Sequence, residues 1–300
     1  MPFAFQMFER APKGASMLKQ FRPFMTAARL DGYKNDIALI GSGISQVDSQ
    51  VGPYLQAHHA ISEPVDDAYP AYGNLDRRWP AVDAKMNDLL GKVRGNLVNY
   101  QAVAALPSFS LFPWFFVIPG VVVLVASSTL IIRRHRKAAT AVLLAVGVGL
   151  VVAPAVFQMW SRAPKGGDMM GAFKHIETTS NVVTIQDDFS TMASGQGIIR
   201  LDLAPALERT GLTAKDIESR FPAVARLDGI WVHVLNDMTP MIGAMSDNVG
   251  SYHAIAALPP FPLFPWFFVL PGLLVVGATL ASRQSLRGPQ VDLRQSEVSA

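Results

Sequence analysis

Residues 100–120, YQAVAALPSFSLFPWFFVIPG, return as YHAIAALPPFPLFPWFFVLPG at residues 252–272, with sixteen of twenty-one positions identical. The same offset of 152 positions relates QMFERAPKG at 6–14 to QMWSRAPKG at 158–166. A constant offset over separate segments needs no gaps, so the matches indicate an internal repeat. We call its two occurrences the first copy and the second copy. In each copy, a polar stretch leads into an apolar run.

Three apolar runs carry no charge and are long enough to span a bilayer, which takes about 20 apolar residues. Hydrophobic residues make up 50% of the 300-residue chain and charged residues only 16%. Soluble domains have about 25% charged residues, so the composition excludes a wholly soluble chain and a disordered one. We therefore predict three transmembrane helices.

The short connection RRHRK at 133–137 carries four basic residues. A basic loop between two spans marks the cytoplasmic side of the membrane. The polar stretches then lie outside the cytoplasm, and the C-terminus lies inside. Because much of the positive charge is in this loop, the isoelectric point near 9.2 gives no reason to expect a nucleic-acid partner.

The polar stretches are predicted to be small helical bundles. Apolar residues at 17–28 recur at the spacing of one helix face. A last helix is predicted to begin near Pro80, and Asp76 and Asp228 are interpreted as caps before that helix in each copy. Thr213 is expected to begin a short helix in the second copy. The predicted fold class is an all-α membrane protein with two homologous extracytoplasmic helical domains.

The predicted organisation is that of a multi-pass protein of the cell membrane with seven segments. In chain order they are an extracytoplasmic helical domain at 1–110, a transmembrane helix at 111–132, a basic cytoplasmic loop at 133–137, a transmembrane helix at 138–158, a second extracytoplasmic helical domain at 159–262, a transmembrane helix at 263–282 and a cytoplasmic tail at 283–300.

Two features occur at equivalent places in the first and third spans. Pro119-Gly120 and Pro271-Gly272 predict kinks, which act either as hinges or as static bends packed against a neighbour. Aromatic clusters around Trp114 and Trp266 are typical of an interfacial belt.

One cluster resembles a metal site: His58 and His59, followed by Glu63, Asp66 and Asp67. The equivalent positions of the second copy offer no such set, so a solvated loop is the preferred interpretation. The chain has no cysteine, which excludes disulfides, thiolate catalysis and cysteine-ligated metals.

Other chemistry-bearing residues are scattered. His175, His233 and His253 are isolated, and Gly41-Ser42-Gly43 is too short for a phosphate-binding motif. The spans contain no ionisable residue, which disfavours an ion pump. We predict no catalytic, cofactor-binding or metal-binding residues and no cofactor.

The FRPFMT and RAPKG segments, with Ala- and Val-rich spans, resemble uncharacterised duplicated membrane proteins of high-GC Gram-positive bacteria. The resemblance covers most of the chain. It implies no catalytic residue and no particular activity.

Three functions from different classes remain open. The first is a non-enzymatic interaction or scaffold module of a cell-envelope complex, with the lipid bilayer and a membrane-protein partner or a second copy of the chain as partners. The alternative is an extracytoplasmic sensor or lipid-handling protein, whose apolar helix faces enclose a hydrophobic ligand. A membrane enzyme is the third.

The start of the chain gives a further expectation. Met1 aligns with Ala153 and Phe5 with Phe157, at the end of the second span, and equivalents of 138–152 are absent upstream. We expect the natural product to begin roughly 15–40 residues earlier with a fourth span. The alternative is that Met1 is the true start and that the first span alone translocates the N-terminal domain.

Overall fold

The computed structural model describes residues 5–132 and 136–285, and its secondary structure there is helical with no strand. The predicted all-α class is confirmed for these residues. Residues 133–135, the centre of the predicted basic loop, lie outside the described residues, as do 1–4 and the tail residues 286–300.

Fourteen α-helices are described between residues 5 and 285. They are α1 Met7–Phe21, α2 Ala27–Gln46, α3 Gly52–Ala57, α4 Val65–Ala68, α5 Pro70–Gly95, α6 Leu97–Ala104, α7 Trp114–Ile131, α8 Arg136–Val156, α9 Met159–Phe173, α10 Thr179–Ile198, α11 Ala204–Arg209, α12 Ala214–Arg220, α13 Pro222–Ala256 and α14 Phe264–Ser285.

The helix bounds of the two copies correspond closely. The bounds of α9, α10 and α11 each lie 152 positions after those of α1, α2 and α3. A π-helical turn follows α2 at Val47–Val51, and another follows α10 at Ile199–Leu203. The copies differ where α5 ends at Gly95 and α6 follows, whereas α13 continues without a break. Gly95 has a low helix propensity, and the second copy has Asp247 at that position.

Two helix boundaries differ from those predicted. The helix expected over 17–28 is interrupted, because α1 ends at Phe21 before Pro23 and α2 begins after Thr26. A residue before proline is disfavoured in helical conformation, and the Thr26 side chain accepts a hydrogen bond from the Arg29 backbone N–H as an N-cap.

The helix predicted to begin near Pro80 begins at Pro70 instead. Asp76 and Asp228 therefore lie inside α5 and α13 and cap neither helix, so that interpretation is wrong. By contrast, Thr213 starts α12 with a capping box to Asp216, which confirms the predicted short helix.

The chain forms two compact units. The bundle unit comprises Ser16–Gln101 and Asp168–Ala254, and the span unit comprises the residues up to Ala15, Ala102–Gly167 and the residues from Ile255 on. The segment boundaries predicted from the sequence follow the repeat, whereas each compact unit draws on both copies.

The core of the bundle unit contains helices of both copies in reciprocal contact. A Cβ atom on Gly43 in α2 would lie within 2.5 Å of Leu227 in α13. At the equivalent place, a Cβ atom on Gly195 in α10 would lie 2.9 Å from Leu75 in α5. Only glycine lets the helices approach this closely. The Gly41-Ser42-Gly43 segment is thus a helix-packing site.

Polar contacts also join the copies within the bundle unit. Arg29 forms an ion pair with Asp237 at 2.7 Å, and Lys85 forms one with buried Asp188 at 2.9 Å. The Gln46 side-chain oxygen accepts hydrogen bonds from two backbone N–H groups in the first turn of α13. These groups have no partner within their own helix, so α2 of the first copy caps α13 of the second.

Among the described residues of the span unit, three helical stretches are long and apolar enough to cross a membrane: Phe109–Leu130, Arg136–Val156 and Phe261–Arg283. The predicted spans are confirmed to that extent. Within the unit, α8 packs against both α7 and α14. The contact with α14 is close, because a Cβ on Gly147 would lie 2.7 Å from the Val276 side chain and one on Gly272 would lie 2.8 Å from the Gly147 carbonyl.

The aromatic clusters at the starts of α7 and α14 divide into two groups. Trp114 and Trp266 are about half exposed, at 49% and 45%. Phe112 and Phe264 are buried, with ring centroids 5.6 Å apart. The phenylalanines therefore bind the spans to each other, and the tryptophans are the members available to an interface.

Candidate functional site

The bundle unit contains an apolar cavity with about 60 Å³ of space. One water-sized group needs about 10–15 Å³, so the cavity has room for a short alkyl chain. Its lining residues form eight repeat-related pairs and one further residue: Met17 and Met169, Leu18 and Met170, Phe21 and Phe173, Phe24 and Ile176, Met25 and Glu177, Leu89 and Met241, Val93 and Met245, Tyr100 and Tyr252, and Leu90.

Each wall of the cavity is held in place by a buried tyrosine. The Tyr100 hydroxyl donates a hydrogen bond to the Leu18 carbonyl at 2.8 Å, and the Tyr252 hydroxyl donates one to the Met170 carbonyl at 2.6 Å. Burial raises the pKa of both hydroxyls, so they keep their protons near neutral pH. These bonds fasten α6 to α1 and α13 to α9 at equivalent places.

Methionine dominates the lining, with six residues from α1, α9, α13 and the segment after α1. Methionine side chains are unbranched and polarisable, and they adapt to irregular apolar shapes. An apolar cavity of this kind stays dry and accepts apolar molecules. The lining therefore indicates a site for a small hydrophobic group.

Glu177 breaks the symmetry of this lining. It occupies the position equivalent to Met25, immediately before the N-cap Thr178 of α10, and its backbone N–H donates to the Phe173 carbonyl. Only 4% of its surface is exposed, and its Oε2 atom has no hydrogen-bond partner among residues 5–132 and 136–285. Burial raises the pKa of its carboxyl group to about 7.

Sequence reasoning predicted no site residues and so missed Glu177. The available signal was the repeat itself, because an acid stands in the second copy where the first copy has buried Met25. An isolated buried carboxyl group without a partner is costly, and such groups gather at functional sites.

The five residues of the candidate metal cluster do not come together. His58 and His59 are exposed, and the His58 ring stacks on Tyr54 with a centroid distance of 3.9 Å. Asp66 instead joins Asp48 and Asp76, and carboxylate oxygens of the three lie within 4.8 Å of one another.

This carboxylate group is the one described arrangement of acids and histidines with the geometry to hold a metal ion. The Tyr72 hydroxyl donates a hydrogen bond to Asp48 at 2.6 Å. Burial, followed by the charges of Asp48 and Asp66, raises the pKa of Asp76. The like charges already favour one protonated carboxyl group, and exposed acidic groups of this kind are common without an ion.

The isolated histidines have local contacts. His233 Nδ1 lies 3.0 Å from an Asp36 oxygen, and the His253 ring meets Tyr252 edge-on. His175 lines a second depression of about 260 Å³ together with Lys85 and Lys92.

Comparisons with protein-family models, with curated proteins and with solved structures give no match to this chain. The resemblance to duplicated membrane proteins of high-GC Gram-positive bacteria stays a prediction. The cavity is therefore the feature of the described residues that points to a function.

Proposed function

We propose that this protein is a non-enzymatic integral membrane protein whose bundle unit binds a small hydrophobic ligand outside the cytoplasm. The observation that carries the proposal is the methionine-rich cavity, lined by equivalent residues of both copies. It favours the ligand-binding alternative of the sequence analysis, a sensor or lipid-handling protein. The scaffold hypothesis rests on the sequence alone.

The duplication is part of the proposal. We infer that the two copies descend from one helical unit followed by a membrane span, and that pairing them created a cavity which neither copy encloses alone. The identical spacing of helix bounds in α1 to α3 and α9 to α11 supports this. Each copy supplies one wall, as Tyr100 and Tyr252 illustrate.

Ligand binding is tested on the full chain purified in mild detergent. Thermal unfolding is followed while n-pentane is added at increasing concentration. A bound ligand stabilises the folded state by mass action, so the unfolding temperature is expected to rise. The variant Val93→Phe fills part of the cavity, and its unfolding temperature should not respond. Val98→Phe is the matched control, because Val98 is 61% exposed and lies outside the lining.

A response that is equal in Val93→Phe and in the unaltered protein would place binding elsewhere, for example at the detergent-covered spans. No response in the unaltered protein to n-pentane or to any other short apolar compound would refute the proposed function.

The extracytoplasmic location is tested separately. The basic residues at 133–137 are proposed to hold that loop in the cytoplasm. Replacing Arg133, Arg134 and Arg136 by Glu should make the 159–262 segment change its protease accessibility in intact cells. Unchanged accessibility would contradict the assignment.

A further inference from the structure

We propose that the cavity selects a ligand with a primary amine at one end of a short alkyl chain, and that Glu177 binds the ammonium group. This inference rests on the proposed function and specifies its ligand. It follows from which polar side chains belong to the cavity lining and from what their atoms can still bind.

The hydroxyl groups of Tyr100 and Tyr252 have already committed their protons. Each donates its hydrogen to a main-chain carbonyl, so each oxygen retains only its capacity to accept. The ionised Glu177 carboxylate also accepts only. The polar atoms of these three lining side chains can thus only accept further hydrogen bonds, and the unpaired Glu177 Oε2 requires a donor.

An ammonium group matches this requirement, because it has three donors and no acceptor. A hydroxyl group supplies one donor and brings lone pairs that need donors themselves. Hydrogen bonds between an ammonium and a carboxylate are also stronger than those between neutral groups. The amine would neutralise the buried charge as well as fill the unpaired position on Oε2.

The electrostatics of the site agree with the binding of an ammonium group by Glu177. Tyr252 lies close enough to Glu177 for the carboxylate charge to raise its pKa, second to the effect of burial. No lysine or arginine is among the lining residues, so the described chain brings no cation of its own into the cavity. The rest of the lining is apolar and suits the alkyl chain.

The first copy shows what the site would be without this selectivity. Met25 holds the position equivalent to Glu177 and is 7% exposed. The substitution Glu177→Met therefore introduces into the second copy the residue that the first copy already has at the equivalent position. Glu177→Gln keeps the size and removes the charge, and it serves if the Met variant fails to fold.

The experiment compares 1-pentylamine with 1-pentanol by calorimetric titration of the full chain in mild detergent. At about pH 8 the amine is protonated and a carboxyl group with a pKa near 7 is ionised. We expect the unaltered protein to bind 1-pentylamine about tenfold more tightly than 1-pentanol. In Glu177→Met and Glu177→Gln the two dissociation constants should become similar, with 1-pentanol binding little changed.

The surface variant Glu208→Gln is the control for general charge effects and should keep the tenfold preference, since Glu208 is exposed. Equal binding of both compounds to the unaltered protein would overturn the inference and leave the proposed function standing. A preference that persists in both Glu177 variants would also overturn it. Failure of both compounds to bind any variant would count against the hydrophobic-ligand site itself.

Discussion

The two copies have closely similar helix bounds, and the positions at which they differ are informative. In the bundle unit, Met25 of the first copy and Glu177 of the second face one cavity. In the span unit, Gly272 of α14 is covered by α8, whereas the space around Gly120 of α7 is open to 4 Å among the described residues. Equivalent positions at which the two copies are alike indicate a structural role. Positions at which they differ indicate a functional role or a neighbouring helix that the described residues do not include.

The largest expected effect tests the framework that the copies share. Gly195→Leu forces a side chain into Trp231 and Leu75, where even a Cβ atom lies too close. We expect thermal unfolding to show a loss of about 3 kcal/mol or more. Gly197→Leu in the same helix is the control, because nothing lies within 4 Å of its Cβ position. Similar losses in both variants would contradict the reciprocal packing.

The second expected effect is a pH dependence of folding stability, which Glu177 causes and the equivalent Met25 cannot. The pKa of the Glu177 carboxyl group is about 7 in the folded chain, against an ordinary value of 4.5. The folded state therefore binds more protons than the unfolded state between these values, and stability falls as pH rises from 4.5 to 7. Above pH 7 the loss is complete, and it amounts to about 3 kcal/mol at most.

Glu177→Gln removes this titration, so its stability advantage over the unaltered protein should grow from pH 4.5 to pH 7 and then level off. Tyr100 and Tyr252, which also line the cavity, stay protonated through this range, because burial raises their pKa. Exposed His175 is present in both proteins, so the difference between them isolates Glu177. Parallel stability curves would contradict the assignment.

These differences also show how far the sequence could predict the molecule. The three spans follow from composition, because each is an uncharged apolar stretch long enough to cross a bilayer. In α2, the buried residues Ile37, Ile40 and Ile44 recur at the three- and four-residue spacing of one helix face, a pattern that the sequence alone displays. The passage of α5 through Pro80 does not follow from local rules. Proline removes one helical hydrogen bond, and the burial of Trp79 and Val82 on either side offsets that loss.

The contacts between the two copies could not be predicted from the sequence, for a different reason. A repeat shows that Gly43 and Gly195 are equivalent, but it cannot show whether Leu75 or Leu227 packs against each of them. The structure pairs each glycine with a leucine of the other copy. The cavity lining also draws on both copies, so Glu177 could be recognised as unusual in the sequence but not placed in a site.

A third prediction compares the equivalent glycines of the spans. Gly272→Leu would push α14 away from the Gly147 carbonyl and should cost about 1–3 kcal/mol. Gly120→Leu in α7 should be close to neutral. Thermal unfolding of both variants in detergent measures the difference. An equal loss in both would mean that another helix covers α7 in the purified protein, and cross-linking through a cysteine at position 120 would then identify it.

The smallest effect concerns the arginine of the repeated RAPKG segment. Arg10 donates to the Ala257 carbonyl and Arg162 to the Ala105 carbonyl, both at 3.0 Å. These carbonyls directly follow the ends of α13 and α6, where helical carbonyls lack partners and a basic side chain stabilises the terminus. Because the bonds are exposed, Arg10→Gln and Arg162→Gln should each cost only about 1 kcal/mol.

The symmetry makes this small effect informative. The two contacts are equivalent and share no partner, so the losses in Arg10→Gln and Arg162→Gln should be similar and should add in the double variant. Lys13→Gln, an exposed cation in the same helix as Arg10, controls for the change in charge and should have little effect on the unfolding temperature. If the stability loss is much larger in one arginine variant than in the other, the two contacts at the ends of α6 and α13 are not energetically equivalent. The similarity of the two copies would then not extend to these helix ends.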